Sequence, residues 1–238
     1  MNWLFDPPPP PSLAIAGQSA RYPVRRIWCV GRNYAAHVRE MGGDPQRDPP
    51  FFFAKPADAL LEVAQGQVGQ LPYPPRTQDF HHEVELVLAL GQGGRNLSQE
   101  QAEQAVFAVA VGLDMTRRDV QTRARKLGQP WEMAKGFDDS AVCGPLLPVA
   151  SIAALSQGAV ELWVNGQARQ HGDLAEMIWS IPEIIADLSR WVELRAGDLI
   201  YTGTPEGVGP VSPGDELRAS IEGVGELQVQ VMAPAHTE

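Results

Sequence analysis

DFHHEVELVLALG, residues 79–91, has the alternation of a β-strand. Its apolar side chains recur at every second position from Val84 to Leu90, as they do when a strand presents one face to a core. The same period places Glu83 and Glu85 together on the opposite face. Two adjacent carboxylates repel each other, and burying them without a counter-charge costs free energy. A hard divalent cation such as Mg²⁺, which prefers oxygen ligands, would remove both penalties. A solvated strand end with two exposed acids is the alternative, and this stretch alone leaves both open.

A second apolar strand, predicted over residues 108–113, ends on an acid. Its sequence AVAVGL is followed directly by Asp114. An acid at the end of a buried strand is suited to be a third metal ligand. Asp114 could instead cap the helix that we predict after it, which is the common structural use of aspartate.

A short helical pattern carries a histidine and a glutamate that can act together. Residues 24–30, VRRIWCV, read as a strand, and AAHVREM (35–41) follows with helical character. His37 and Glu40 are three residues apart and therefore share one face of that helix. A carboxylate beside an imidazole orients the ring and favours its protonated form, which is the minimum needed to take a proton from water. The glycines and prolines that follow predict a movable lid; a surface pair without chemistry is the alternative.

The segment 116–127, TRRDVQTRARKL, is strongly basic in an acidic chain. On a helix, Arg118 and Gln121 share one face, where the planar fork of arginine donors would grip a carboxylate. Lys135 follows in an apolar context, WEMAKGF (131–137). Near a metal it would polarise a carbonyl or stabilise an oxyanion; alternatively, it only neutralises the acidic residues.

Two further stretches are candidates for binding an anion. FFFAK (51–55) reads as a buried strand that ends on Lys55. This lysine is either an anion contact or a side chain whose charged end reaches water. Residues 203–209, GTPEGVG, follow a predicted strand. Their backbone N–H groups and the Thr204 hydroxyl would form a carboxylate cradle.

Composition limits the classes of protein and of partner. The chain has 238 residues, 44% hydrophobic and 20% charged, which is typical of one large globular domain. Its net charge of −10 argues against nucleic acid and anionic membranes as partners. The longest apolar run, 105–113, is too short to span a bilayer. Two cysteines outside any CxxC pattern favour a reducing cytoplasm.

The order of strand and turn signals predicts the fold class. Strands and turns dominate and helices are few, so we expect a β-rich α+β fold and not a doubly wound sheet. We expect a proline-rich arm over residues 1–23 and a single catalytic domain over residues 24–238.

Eight motifs, each weak alone, together resemble one family. In chain order they are GRNYAAHVREM, FAKPADAL, HHEVELVLALG, GLDMTRRDVQ, PWEMAKGFD, VNGQARQ, MIWSIPEII and GDLIYTGTPEGVGP. The chain resembles the fumarylacetoacetate hydrolase family, in its shorter branch, over roughly residues 24–232. The resemblance implies the β-roll core of that family and a homodimer. It implies that Mg²⁺, or Mn²⁺, is held by Glu83, Glu85 and Asp114.

The same resemblance implies roles for the remaining candidates. His37 and Glu40 would activate water on a lid that orders with substrate, and Lys135 would be the active-site lysine. The residues expected to line the substrate pocket are Arg32, Lys55, Arg118, Gln121 and Thr204.

The activity that the resemblance implies is hydrolysis of the C–C bond of a 2,4-dioxo acid. Fumarylpyruvate, as in gentisate breakdown, or another acylpyruvate would give pyruvate and a carboxylic acid. Decarboxylation of oxaloacetate, with the same metal and lysine, is a rival activity, as is isomerisation or hydration of a related acid. A noncatalytic binder of small acids is a further alternative. The intact His37, Glu40 and Lys135 argue against it, because a binder needs no water-activating pair.

Overall fold

The computed structural model describes residues 4–42, 48–152 and 155–234. Its strands are β1 (Ser12–Ala14), β2 (Arg21–Pro23), β3 (Arg26–Gly31), β4 (Phe51–Lys55), β5 (Leu60–Glu62), β6 (Val68–Pro72), β7 (Phe80–His82), β8 (Val84–Leu90), β9 (Val106–Asp114), β10 (Thr116–Arg117), β11 (Ala141–Cys143), β12 (Leu147–Pro148), β13 (Ala159–Val164), β14 (Gln167–Asp173), β15 (Asp198–Tyr201), β16 (Gly209–Val211), β17 (Glu216–Ile221) and β18 (Gly225–Met232). Its α-helices are α1 (Ala35–Glu40), α2 (Gln99–Ala105), α3 (Arg118–Leu127), α4 (Glu132–Lys135) and α5 (Ile181–Trp191).

The largest sheet is mixed and is built around two long neighbours, β8 and β9. Its strand order is β4–β3–β15–β8–β9–β11–β5, with β12 beside β9. β8 and β9 pair antiparallel along their length, from Val84 opposite Leu113 to Leu90 opposite Val106. Both strands are nearly continuous apolar runs, and such strands are stable where both of their faces are covered. Every residue of β8 is buried, in agreement with this rule.

The two faces of β8 meet different layers. Leu86, Leu88 and Leu90 pack into the main core together with residues of a second sheet, of order β14–β13–β17–β18–β6. Val87 and Ala89 point the other way, into a layer of small side chains that includes Ala108, Ala110, Cys29 and Cys143. The β1–β2 hairpin closes this layer with the buried side chains of Leu13 and Tyr22. Glu85 shares this second face, because it is two residues before Val87.

The β-rich α+β roll predicted from the sequence is confirmed. The chain is 21% helical and 40% strand, in curled sheets. β4 has the bounds predicted for it, residues 51–55. The stretch 79–91, predicted as one strand, forms two strands, β7 and β8, with Glu83 between them. The alternation in β8 predicts one buried apolar face and an opposite face that carries the glutamates. The structure buries both faces, because the small residues of the neighbouring strands allow a second layer to pack there.

The two well-capped helices begin with a serine. Ser98 and Gln101 form a capping box at α2, and Ser180 and Glu183 form another at α5. These boxes satisfy backbone N–H groups that the helix leaves unpaired. Within the three described ranges, no helix combines the length and apolar character needed to cross a bilayer.

Gly112 lies in β9 opposite Glu85, where the packed layer leaves no room for a side chain. A Cβ atom there would lie 2.5 Å from Val87 Cγ2 and 2.9 Å from both Tyr201 Cε1 and Val142 O. Gly112→Ala should therefore lower the free energy of unfolding by about 1–3 kcal/mol, which urea denaturation measures.

The control is Gly144→Ala, because the nearest atoms to its Cβ would lie 3.4 and 3.9 Å away, at ordinary contact distances. Equal stability of the two variants would contradict the packing described for β9.

Candidate active site

Adjacent strands bring three carboxylates together. Glu85 is the second residue of β8, Glu83 directly precedes that strand, and Asp114 is the last residue of β9. The Asp114 N–H donates to Glu83 O at 2.9 Å. One carboxylate oxygen from each of the three, here called the acidic triad, lies within 4.8 Å of the other two, and all three residues are buried. Asp114 does not cap the next helix, since the N-cap of α3 is Arg117.

Three cations surround the acidic triad. Lys135 Nζ donates to Glu83 Oε2 at 2.8 Å and to Asp114 Oδ2 at 2.7 Å. Lys55 Nζ lies 2.8 Å from Asp114 Oδ1. Arg118 Nη2 donates to Glu83 Oε1. The formal charges of the three acids and three bases therefore cancel.

These partners decide the charge of each group. Burial favours the neutral form of Glu83, but the charges of Lys135 and Arg118 outweigh it and lower the pKa of Glu83. Burial, together with the charges of Asp114 and Glu83, raises the pKa of Glu85 well above its ordinary value. Burial would lower the pKa of Lys135, yet Asp114 and Glu83 raise it overall, so Lys135 stays protonated. Glu85 is thus the triad member whose charge is least compensated.

The donor set fits a divalent cation. Asp114 Oδ1 is buried and accepts no hydrogen bond within the described residues, although Lys55 Nζ lies near it. Glu85 Oε2 accepts from the Gly203 N–H at 2.7 Å, and Glu85 has no ion pair in the described part of the chain. Clustered carboxylate oxygens are the ligands that hard divalent ions prefer. A divalent cation held by the acidic triad would supply the positive counter-charge that Glu85 lacks.

The predicted pairing of His37 with Glu40 is present and is tied to a glycine turn. His37 Nδ1 lies 3.0 Å from Glu40 Oε2, and the Gly207 N–H donates to Glu40 Oε1 at 3.0 Å. Gly207 has a φ of +88°, and a Cβ there would lie 1.9 Å from Arg169 O. Only glycine fits this turn. Because Nδ1 faces Glu40, Nε2 is the ring nitrogen left for the pocket.

Gln170, which the sequence analysis did not single out, sets the direction of the Thr204 hydroxyl. Gln170 Oε1 accepts from the Val84 N–H at 3.0 Å and lies 2.9 Å from His82 Nδ1. Its Nε2 donates to Thr204 Oγ1 at 2.7 Å and to Pro205 O at 2.9 Å. Since Thr204 Oγ1 accepts this hydrogen bond, its own hydrogen is left to donate to a partner in the pocket.

Nine of the eleven predicted site residues line one pocket: Arg32, His37, Glu83, Glu85, Asp114, Arg118, Gln121, Lys135 and Thr204. Glu40 is absent from the wall and contacts His37. Lys55 lies beneath the pocket and is 2% exposed, and its Nζ donates to Met115 O at 3.1 Å and to Lys135 O. The structure therefore gives Lys55 the position of a counter-charge to Asp114, away from the surface that a substrate would touch.

The pocket wall contains residues that the sequence analysis did not name: Val30, Gly31, Met41, Phe51, Phe53, Arg125 and Trp131. Arg125 carried a local signal, because it follows Gln121 by four residues and shares its helix face. Trp131 meets Phe51 and Phe53 edge to face, with ring centroids 5.5 and 5.9 Å apart. Gln170 and Trp131 act through contacts that are distant in sequence, so no local pattern identifies them.

A family model matches most of the chain, including all the site residues described above. A family model described as fumarylacetoacetate (FAA) hydrolase C-terminal matches residues 26–232. The chain belongs to the fumarylacetoacetate hydrolase family. The resemblance predicted from the eight motifs is thereby confirmed.

Members of the fumarylacetoacetate hydrolase family with different printed activities are similar to this chain. A fumarylpyruvate hydrolase of a Ralstonia species is 43% identical over 188 residues, which are 79% of this chain and 95% of that protein. An oxaloacetate tautomerase of Escherichia coli is 42% identical over 203 residues, 85% of this chain and 90% of that protein. A crystal structure of fumarylpyruvate hydrolase from Pseudomonas aeruginosa in complex with Mn²⁺ and pyruvate has a TM-score of 0.96 and 53% identity, covering 98% of this chain and 100% of that one.

The acidic triad predicts metal binding that is measurable without substrate. Asp114→Asn keeps the size of the side chain but removes one ligand charge. We expect it to weaken the binding of Mn²⁺ to metal-stripped protein by at least about 10-fold, as measured by calorimetry.

The control is Asp187→Asn, which changes the same charge in α5, where Asp187 pairs with exposed Arg190 at 3.4 Å. Circular dichroism checks that both variants are folded. Equal Mn²⁺ affinity of the wild type and Asp114→Asn would contradict the metal site.

Proposed function

We propose that this protein is a divalent-metal-dependent hydrolase that cleaves the C–C bond of a 2,4-dioxo acid, with fumarylpyruvate as substrate. Mg²⁺ is the proposed metal and Mn²⁺ the alternative. The observation that carries the proposal is that the acidic triad and His37 open into one pocket. Support comes from the similarity to the Ralstonia fumarylpyruvate hydrolase and to the Pseudomonas aeruginosa enzyme, which was crystallised in complex with Mn²⁺ and pyruvate. Pyruvate is one product expected of this cleavage.

The charge of the pocket suits an acidic substrate. The triad and its three cations already cancel, so a bound divalent cation would leave the pocket positive. Arg32 and Arg125 in the wall add to that excess. Carboxylates of a dioxo acid would neutralise it, and a local positive field of this kind attracts anions even in a protein of negative net charge.

His37 is placed to take a proton from water. In the neutral ring with its hydrogen on Nδ1, the tautomer that pairs with the Glu40 carboxylate, Nε2 is able to accept a proton. When Nε2 takes the proton, the negative charge of Glu40 stabilises the imidazolium, and the Gly207 N–H holds Glu40 in place. The activated water would attack the carbonyl that is distal to the keto-acid end. The C–C bond between that carbonyl carbon and the pyruvate methylene would then break, and the enolate that leaves would take up a proton to give pyruvate beside the carboxylic acid.

Lys135, Gln121 and Thr204 supply hydrogen-bond donors. Two Lys135 hydrogens are directed to the triad, which leaves the third to stabilise an oxyanion. Gln121 Oε1 accepts from Arg118 Nη1 at 2.6 Å, so its amide N–H groups remain for substrate oxygens. The Thr204 hydroxyl is also left to donate. A metal at the triad would act as a Lewis acid toward the keto-acid end of the substrate.

Oxaloacetate chemistry is the second candidate, and the 42% identity to the Escherichia coli oxaloacetate tautomerase favours it. Lys135 would then stabilise negative charge on the oxygen of an enolised keto acid. Neither tautomerisation nor decarboxylation needs an attacking water. Tautomerisation also moves a proton, which a base such as His37 would assist, so the set of substrates that is turned over separates the two candidates.

His37→Ala should slow the hydrolysis of fumarylpyruvate by about 10²–10⁴-fold, because general-base assistance by Nε2 is lost. Its affinity for Mn²⁺ should stay within about twofold, since His37 is outside the triad. Steady-state kinetics and calorimetry measure the two quantities.

The control is His171→Ala, which removes an exposed histidine that pairs with Glu161 at 3.2 Å on the second sheet. A His37→Ala variant that hydrolyses fumarylpyruvate at the wild-type rate would exclude the proposed role.

Metal removal tests the function as a whole. Metal-stripped protein should be inactive, and added Mg²⁺ should restore cleavage, followed as loss of dioxo-acid absorbance and release of pyruvate. Fumarylpyruvate, acetylpyruvate and oxaloacetate are offered in parallel. Turnover of oxaloacetate alone would replace the proposed function by the second candidate.

Three properties stay predictions from the sequence: the homodimer, the cytoplasmic location and a place in gentisate breakdown. Light scattering during size-exclusion chromatography measures the first.

A further inference from the structure

Two arginines of the pocket wall carry charge that no acid of the described chain offsets. Arg32 and Arg125 are exposed, and neither forms an ion pair within the described ranges. Arg32 has a φ of +61°, a left-handed conformation that is uncommon outside glycine, and its guanidinium lies 5.8 Å from the Phe51 ring centroid. Uncompensated cations on the wall of a pocket are suited to bind an anionic group of a ligand.

Helix α3 sets Arg125 at a fixed position relative to the triad. Arg118, Gln121 and Arg125 are spaced three and four residues apart and share one helix face. Arg118 and Gln121 are 7% exposed, whereas Arg125 is exposed. With a rise of about 1.5 Å per residue, Arg125 lies about 10 Å along the helix from Arg118. This face of α3 therefore runs from the buried triad to the pocket mouth.

The wall also has an apolar, aromatic part. Phe51, Phe53 and Trp131 pack edge to face, and Met41 lies in the same wall. Aromatic rings of this kind favour a flat, unsaturated or apolar group. The pocket thus combines a buried acidic triad, aromatic side chains in its wall and two exposed arginines.

We propose that Arg125 is a specificity-determining residue that binds a carboxylate at the far end of the acyl chain. The preferred substrates are then 2,4-dioxo acids whose acyl group ends in a carboxylate, with a short planar chain between. Fumarylpyruvate meets this description. The acyl group of acetylpyruvate has no carboxylate, and the second carboxylate of oxaloacetate is too close to its ketone to reach the mouth. This inference rests on the proposed function, since it assumes that the keto-acid end faces the triad.

Arg125→Gln tests the assignment. It should lower kcat/KM for fumarylpyruvate by about 10- to 100-fold, the loss typical of a charge-assisted hydrogen bond. The kcat/KM for acetylpyruvate should change by less than about twofold. Arg125→Lys should recover only part of the loss, because an ammonium lacks the planar fork of a guanidinium.

The matched control is Arg123→Gln, which removes the same charge from the same helix but from a residue outside the pocket wall. It should leave the ratio of the two kcat/KM values unchanged. An equal loss on both substrates in Arg125→Gln, or no loss on fumarylpyruvate, would overturn the assignment.

A binding measurement separates this inference from the proposed function. Calorimetry on the Mn²⁺-loaded His37→Ala variant gives the Kd for fumarylpyruvate under conditions of greatly slowed turnover. Adding Arg125→Gln to that variant should raise the Kd by about 10-fold or more and leave the Kd for acetylpyruvate unchanged. If the wild type fails to hydrolyse fumarylpyruvate but this difference in Kd is seen, the hydrolase proposal fails and the role of Arg125 stands. If fumarylpyruvate is neither bound nor hydrolysed, both are overturned.

Discussion

Glu83, Glu85 and Asp114 repel one another, and the fold holds them buried with oxygens within 4.8 Å. Three carboxylates tolerate such a position only with compensating charge. The compensation comes from elements that are far apart in the sequence: Lys55 ends β4, Arg118 begins α3, and Lys135 ends α4. The ion pairs therefore join these elements at one end of the large sheet. Those three cations pair with Glu83 and Asp114. Glu85 has no ion pair within the described residues, and this carboxylate without a counter-charge is the physical reason for expecting a metal.

The same arrangement fixes which atoms are left to meet a substrate. Glu40 contacts Nδ1 of His37, so Nε2 remains to meet the substrate or water. Arg118 donates to the side-chain carbonyl oxygen of Gln121, so the amide N–H groups of Gln121 remain to donate to the substrate. Gln170 likewise occupies one lone pair of Thr204 and leaves its hydrogen. Each pocket group thus has one side held by the protein, so little reorganisation is needed when charge develops during the reaction. On α1, the N–H of Gly207 holds Glu40 in the same way, and Glu40 in turn orients His37.

The sequence predicted the parts of the site that depend on local periodicity. The alternation of β8 placed Glu83 and Glu85 on one face, and the spacing of His37 and Glu40 placed them on one turn of α1. Local pattern could not show that Lys55 lies under Asp114, because that contact depends on the pairing of β3, β15, β8 and β9 between them. For the same reason, no local pattern identifies Gln170: its partners lie on β7, on β8 and in the turn after β15. The second buried face of β8 depends on small residues in neighbouring strands.

Anomalous diffraction from crystals grown with Mn²⁺ tests most directly whether the acidic triad is a metal site. Data collected at the manganese absorption edge locate the ion without assuming any reaction. We expect a strong peak bonded to one oxygen of each of Glu83, Glu85 and Asp114. A triad without an anomalous peak, with Lys135 still bridging Glu83 and Asp114 at saturating Mn²⁺, would contradict the metal site.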